Sequence, residues 1–246
     1  MQLKAINVKP GDKDKLVTGL FSKKEAAEVI ANGCRHIHSS TLGARDACAL
    51  ISREMLERSI QIPFPWELVK DSTLESLRTS RERHALIHSI ASGKKITGRR
   101  DLKEKMTSVL EELVTNAIYH SYVERDDTPR YPRQKPAVLA DSERVDVRYH
   151  IVDEGIYLSV SDRGGGLSFS SVSRAFARCY GKRSEAQIED KEGGAGLGLY
   201  MVFETVTHLK FVTVPGVRTE ICCWIADKRS FDPDHFSLNF FEWREK

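Results

Sequence analysis

Three short stretches of this chain combine residue types that do chemistry with a spacing that lets them act together. The first is ELVTNAIYHSY, residues 112–122, in which Glu112 and Asn116 stand four positions apart. On a helix that spacing puts both on one face, one turn apart. A carboxylate and a carboxamide there can act on the same ligand, although the pair equally suits a solvated helix face. The second is DRGGGL, residues 162–167, which follows the alternating run YLSVS. Asp162 leaves a strand end and enters a turn in which Gly164, Gly165 and Gly166 allow positive φ and close backbone approach. An acceptor at that point can meet an exocyclic amine; an Asx-turn opening an ordinary loop is the competing reading. The third is EGGAGLGLYMVFETVTHL, where Gly193, Gly194, Gly196 and Gly198 run directly into an apolar helical pattern. Amides exposed at such a loop and helix start form an anion site, and glycines let a polyphosphate approach the backbone. No GK[ST] ending follows, which excludes a Walker A loop, and the helix is not embedded in a parallel βαβ unit, which argues against a dinucleotide fingerprint.

The elements that must position these residues are legible in outline. Asp101 to Tyr122 reads as a long buried helix. Val145 to Val152 and Ile156 to Val160 alternate as two strands joined by a tight DEG turn, and Lys210 to Val214 with Thr219 to Ile225 read as a closing hairpin. Thr73 to Ala91 is expected to be a helix, Gly93 to Gly98 a turn, and residues 124–143, with three prolines and many charges, a surface loop or insertion. Upstream, residues 3–8 suit a short strand. Ser22 with Glu25 resembles a capping box, with Gly33 closing that helix. Cys34 to Ser39 reads as a strand and Leu42 to Arg58 as a second helix. Pro63 and Pro65 in IQIPFPWELV permit an edge strand or linker and no helix interior. The organisation expected is a small α/β module over 1–58, a main domain over 59–230 and a tail over 231–246.

Composition narrows the function classes. The 38 Lys plus Arg are nearly balanced by 35 Asp plus Glu, which argues against a dedicated nucleic-acid binder with a basic face. The five cysteines, Cys34, Cys48, Cys179, Cys222 and Cys223, contain no CxxC pair, so neither a disulfide framework nor a zinc site is implied. The polar start MQLKAINVKPGDKDK lacks the apolar core of a signal peptide. No run approaches the roughly 20 apolar residues of a membrane span. The expected setting is a reducing cytoplasm, with no membrane.

In order and context, the three stretches resemble the N, G1 and G2 boxes of the GHKL superfamily, which includes gyrase, Hsp90, MutL and histidine kinases; the resemblance covers residues 60–226. It implies an α+β fold of the GHKL/Bergerat type, a mixed, mostly antiparallel sheet covered by helices, with ATP and Mg2+ as cofactors. Asn116 would coordinate the metal bridging the phosphates, and Glu112 would orient or deprotonate the attacking group. Asp162 would bind the adenine amino group, with Gly164 and Gly166 shaping its turn. Gly194, Gly196, Leu197 and Gly198 would line the phosphates, and Leu167 to Gly193 would be a mobile lid. Lys182 and Arg183 within that lid are candidate phosphate contacts or solvated loop charges. Thr219 sits where relatives place a phosphate-contacting threonine, although Arg218 replaces the glycine that usually precedes it.

ELVTNAIYHSY looks particularly like the N box of the SpoIIAB/RsbW-type anti-sigma factor serine/threonine kinases, with Ser121 in place of a glycine. His120 reads as a packed or capping histidine. His84 and His88 lack the acidic neighbour of a histidine-kinase phosphoacceptor and read as helix-surface residues. This branch implies transfer of the γ-phosphoryl group to a serine or threonine of a protein partner, with a STAS-type anti-anti-sigma protein or a sigma factor as partner and a homodimer as the assembly. An ATP-gated interaction switch without transfer, and a detached histidine-kinase catalytic domain, remain open alternatives.

Overall fold

Alternating apolar runs supply the strands and 3.6-residue apolar patterns supply the helices that cover them. The computed structural model describes residues 16–39, 71–124, 128–180, 197–228 and 236–243. Within them the order is β1 (Leu16–Gly19), α1 (Lys23–Ala31), β2 (His36–Ser39), β3 (Thr73–Leu77), α2 (Glu82–Ala91), α3 (Arg100–Tyr119), β4 (Val145–Val152), β5 (Gly155–Asp162), α4 (Phe169–Tyr180), α5 (Leu197–Thr205), β6 (His208–Val214), β7 (Arg218–Ala226) and β8 (Ser237–Glu242). The strands form one mixed sheet, ordered β1-β2-β8-β6-β7-β5-β4-β3. Two of its pairings, β1 with β2 and β6 with β8, are parallel, and the rest are antiparallel. This is the α+β architecture expected from the resemblance.

Strand alternation sends Leu158, Val160, Leu209, Phe211, Ile221, Cys223, Leu238 and Phe240 into one core. Val212 and Phe241, one position out of phase with Phe211 and Phe240, form a separate small cluster with Leu16 and Trp243. Helix α3 lies over the sheet with Leu102, Met106, Val109, Leu110, Leu113 and Val114 buried along its inner face. Burying each such side chain contributes about 1.5–3 kcal/mol, so the helix that carries Glu112 and Asn116 is held firmly.

Several expectations hold and several need correction. Helix α1 begins at the Ser22 capping box, with the Ser22 side chain accepting from the Glu25 amide and the Glu25 carboxylate accepting from the Ser22 amide; Gly33 follows its end at φ 101°. The stretch expected as one helix over Thr73 to Ala91 is instead strand β3 and then helix α2. TLESL pairs with β4 along its whole length, and that long-range pairing overrides its local helical spacing. The expected tail over 231–246 contributes β8, which sits between β2 and β6. Through β8, the described part of the N-terminal segment joins the same sheet as the main domain. The 124–143 segment is more than a surface loop: Ala137, Leu139 and Glu143 are buried, and the Leu139 amide donates to the Arg78 carbonyl at 2.7 Å. The strand expected at 3–8, the helix expected at 42–58 and the linker around Pro63 and Pro65 lie outside the described residues.

Candidate functional site

Glu112 and Asn116 face the same cavity from the last two turns of α3. The Asn116 side-chain Nδ2 donates to Glu112 Oε1 at 3.0 Å. That bond fixes the rotamer of the amide and leaves its oxygen as the free acceptor. The start of α5 presses against the carboxylate: a Cβ built on Gly198 would stand 1.8 Å from both Cδ and Oε1 of Glu112. Only a glycine lets the α5 backbone come this close.

Asp162 ends β5 on the helix-covered face, where its register partner across β7 is Thr219. Its Oδ1 accepts from the Gly164 amide at 2.9 Å and the Gly165 amide at 3.1 Å, the Asx-turn that the sequence offered as the competing reading of this loop. Burial pushes the Asp162 carboxyl upward in pKa, opposed by hydrogen bonds from the Ser121 side chain and from the Gly164, Gly165 and Thr219 backbones. The turn is wedged against the end of α3. A Cβ on Gly164 would meet the Ser121 carbonyl oxygen at 2.1 Å, and one on Gly166 would meet that oxygen at 2.7 Å and the His120 oxygen at 2.8 Å. Gly165 has φ 62° and packs against the β6–β7 turn, with the Val214 carbonyl 2.3 Å from a built Cβ. Tyr122 adds a second tie: the Arg163 amide donates to its hydroxyl at 3.3 Å, and the hydroxyl donates to the Glu143 carbonyl at 2.7 Å.

Between these two clusters lies a cavity of about 250 Å³, with Glu112, Asn116 and His120 on one wall and Asp162, Gly166 and Thr219 on another. Val160, Ile221, Leu199 and Ala117 make the remainder apolar, the lining that suits a planar heteroaromatic ring with a few polar anchors. Two buried polar atoms at its edge, Thr219 Oγ1 and His120 Nε2, have no hydrogen-bond partner among the described residues. Burial, then the charge of Arg133, lowers the His120 pKa. Residues 101–229 match the family of histidine kinase-, DNA gyrase B- and HSP90-like ATPases, a stretch of just over half the chain. The chain belongs to this family. ATP is therefore the ligand for which an Asp162-anchored apolar slot and a neighbouring glycine-opened helix are the matching parts.

The ATPase fold brings together most of the residues picked from the sequence. Glu112, Asn116, Asp162, Gly166 and Thr219 line one cavity, Gly164 packs behind Asp162, and Gly198 abuts Glu112. Thr219 lies across the β5–β7 ladder from Asp162 and lines the same cavity. Leu197 opens α5. Lys182, Arg183, Gly194 and Gly196 lie outside the described residues. The segment expected as a lid over Leu167 to Gly193 starts instead with α4, whose Phe169, Val172, Ala175 and Phe176 are buried; that half is part of the packed layer. Sequence reasoning assigned no role in the site to Ser121, which lines the cavity and whose hydroxyl donates to the Asn116 backbone carbonyl at 3.4 Å. Its signal was the substitution of a polar residue for glycine beside the N box. His84 pairs with Glu111 at 3.0 Å on the surface of the α2–α3 pair, as a helix-surface histidine would.

Proposed function

We propose that this chain is an ATP- and magnesium-dependent protein kinase of the SpoIIAB/RsbW anti-sigma type, transferring a γ-phosphoryl group to a serine or threonine of a protein partner in the cytoplasm. The observation that carries the reading is the bonded Glu112–Asn116 pair on the cavity wall, with Gly198 against the carboxylate. Phosphoryl transfer depends chiefly on positioning and charge neutralisation. The pair supplies a base and a hard oxygen ligand side by side. The attacking hydroxyl would form the new P–O bond, ADP would leave, and the hydroxyl proton would pass to the Glu112 carboxylate.

The residues fit a magnesium ion held with the nucleotide. The Asn116 amide nitrogen is committed to Glu112, so its oxygen is the atom left for a cation. Among the described residues no group of three or more His, Cys, Asp and Glu side chains could hold a metal alone. The magnesium ion would neutralise charge on the transferring group. Among the described residues no helix is long and apolar enough to cross a membrane.

The partner expected is a STAS-type anti-anti-sigma protein, with a sigma factor as a second client and a homodimer as the working assembly. Calorimetric titration with Mg-ATP, followed by incubation of labelled ATP with such a partner, tests the reading. Acid-stable phosphoserine or phosphothreonine on the partner supports it. Acid-labile phosphohistidine would assign the chain to a detached histidine-kinase catalytic role, and tight binding without transfer would make it an ATP-gated switch. Absence of ATP binding would overturn both kinase readings.

A further inference from the structure

Lys23 occupies a position that local physics disfavours twice over. It is the first residue of α1, directly after the Ser22 cap, where the helix dipole repels a cation. It is 9% exposed while its neighbour Lys24 faces solvent, and a buried ammonium carries a large desolvation cost. That burial, only partly offset by the charge of Glu204, brings its pKa down to about 7.

What this lysine reaches is the far end of α5. Its Nζ donates to the carbonyls of Phe203 at 2.5 Å and Val206 at 2.6 Å, where the dipole of α5 welcomes a cation. It also stands 4.5 Å from the ring centroids of Phe203 and Phe236. Helix α1 otherwise packs on α4, where Ser173 Oγ donates to the Ala31 carbonyl at 3.1 Å. Helix α5 is therefore held at both ends. Gly198 in its first turn meets Glu112 with no room for a methyl group, and its last carbonyls close on Lys23. A helix of nine residues is about 13 Å long and stiff along its axis. A displacement at the Lys23 end is thereby coupled to the Glu112 end.

We propose that Lys23 is a positioning residue for the nucleotide site, setting α5 through its C-terminal carbonyls and thereby the contact between Gly198 and Glu112. It also makes the N-terminal segment, which lies outside the family match at 101–229, a contributor to ATP binding. The proposal rests on the reading of the cavity as an ATP site, and the experiment separates the two.

The full chain is prepared as wild type, Lys23→Met and Lys23→Arg. Each is measured for Mg-ATP affinity by calorimetry, thermal midpoint, and amide hydrogen exchange over residues 198–205 without nucleotide. Lys23→Met is expected to weaken ATP binding on the order of tenfold, a usual size for coupling between sites. Exchange in α5 should rise at least several-fold while the midpoint moves by only a few degrees; a purely structural lysine would move the midpoint and leave affinity alone. Lys23→Arg, which keeps a cation and donors for both carbonyls, should restore most of the affinity, and it carries the test if the methionine variant fails to unfold cooperatively. Wild-type affinity and wild-type α5 exchange in Lys23→Met would overturn the proposal. Failure of the wild type to bind ATP would strike the site reading instead, and α5 exchange would then decide the role of Lys23.

Discussion

Replacing Gly198 by alanine should separate folding from function. The added Cβ would stand 1.8 Å from Cδ and Oε1 of Glu112 and 2.2 Å from its Oε2. Restoring an ordinary contact of about 3.5–4.0 Å requires the carboxylate to withdraw by roughly 2 Å. The clash is with the end of a flexible side chain and not with backbone, so the carboxylate can swing away. The overpacking cost of about 1–3 kcal/mol is offset by the gain of about 1 kcal/mol from replacing glycine within a helix. Swinging breaks the 3.0 Å bond to Asn116, and a 1 Å misplacement of a reacting group can cost about 100-fold. On the proposed kinase reading, the expected result is a thermal midpoint within a few degrees of wild type and a γ-phosphoryl transfer rate lower by about two orders of magnitude. A double-mutant cycle makes the cause explicit. In a Glu112→Ala background there is no carboxylate to displace, and Gly198→Ala should do little more. Wild-type turnover by Gly198→Ala alone, or full additivity with Glu112→Ala, would refute the argument.

Asp162→Asn keeps an oxygen for the Gly164 and Gly165 amides but turns an amide donor toward groups that also donate. Losing a charged hydrogen bond of about 1.5–3 kcal/mol should weaken ATP binding about 10- to 100-fold in a calorimetric titration. Gly164→Ala meets the Ser121 carbonyl at 2.1 Å, which is backbone and cannot swing; about 1–3 kcal/mol of stability should be lost in urea unfolding. Lys23 should leave a mark on the pH dependence of stability. The unfolded chain keeps that proton up to its ordinary value of 10.5, whereas the folded chain releases it near 7. Between those values the unfolded state binds more protons, so this contribution to stability rises with pH, is complete above 10.5 and is lost as pH falls through 7. At about 1.4 kcal/mol per unit, it amounts to at most about 5 kcal/mol. Urea unfolding at pH 7 and pH 9 should show the rise in wild type and not in Lys23→Met.

What was legible in the sequence was local. The Ser22–Glu25 capping box, the turn at Asp162 and the hairpins at 145–162 and 208–226 depend on residues within a few positions of one another, and they form where the sequence placed them. What was not legible depends on partners far along the chain. TLESL has leucines at helical spacing, and only pairing with β4 makes it a strand. The SLNFFE run that becomes β8 is buried on both faces, with Leu238 and Phe240 in the main core and Phe241 in the second cluster, and no nearby turn announced its partners. Helix α4 had a readable signal, since Phe169, Val172, Ala175 and Phe176 follow helical spacing; glycines and charges farther along drew the whole segment into the expected lid. The candidate site was largely visible through residue types at Glu112, Asn116, Asp162 and Gly198. Helical spacing puts Lys23 on the buried face with Ala26, Ala27 and Ile30 and leaves Lys24 off it, but the carbonyls that receive its ammonium group lie in and just after α5, about 180 positions away.

The position of β8 between β2 and β6 bears on how the chain is made. Strand β2 is joined to the rest of the sheet through β8, as in the contact of His36 with Asn239 across 203 positions. A ribosome adding about 5–20 residues per second needs roughly 10–40 s to travel that far. Throughout that interval β1, α1 and Lys23 have no sheet to join, and the edge of β6 that β8 will cover stays open. The segment carrying β1, α1 and β2 is thus made well before the strand that docks it, and the unpaired edges it leaves in that interval are open to pairing with other chains.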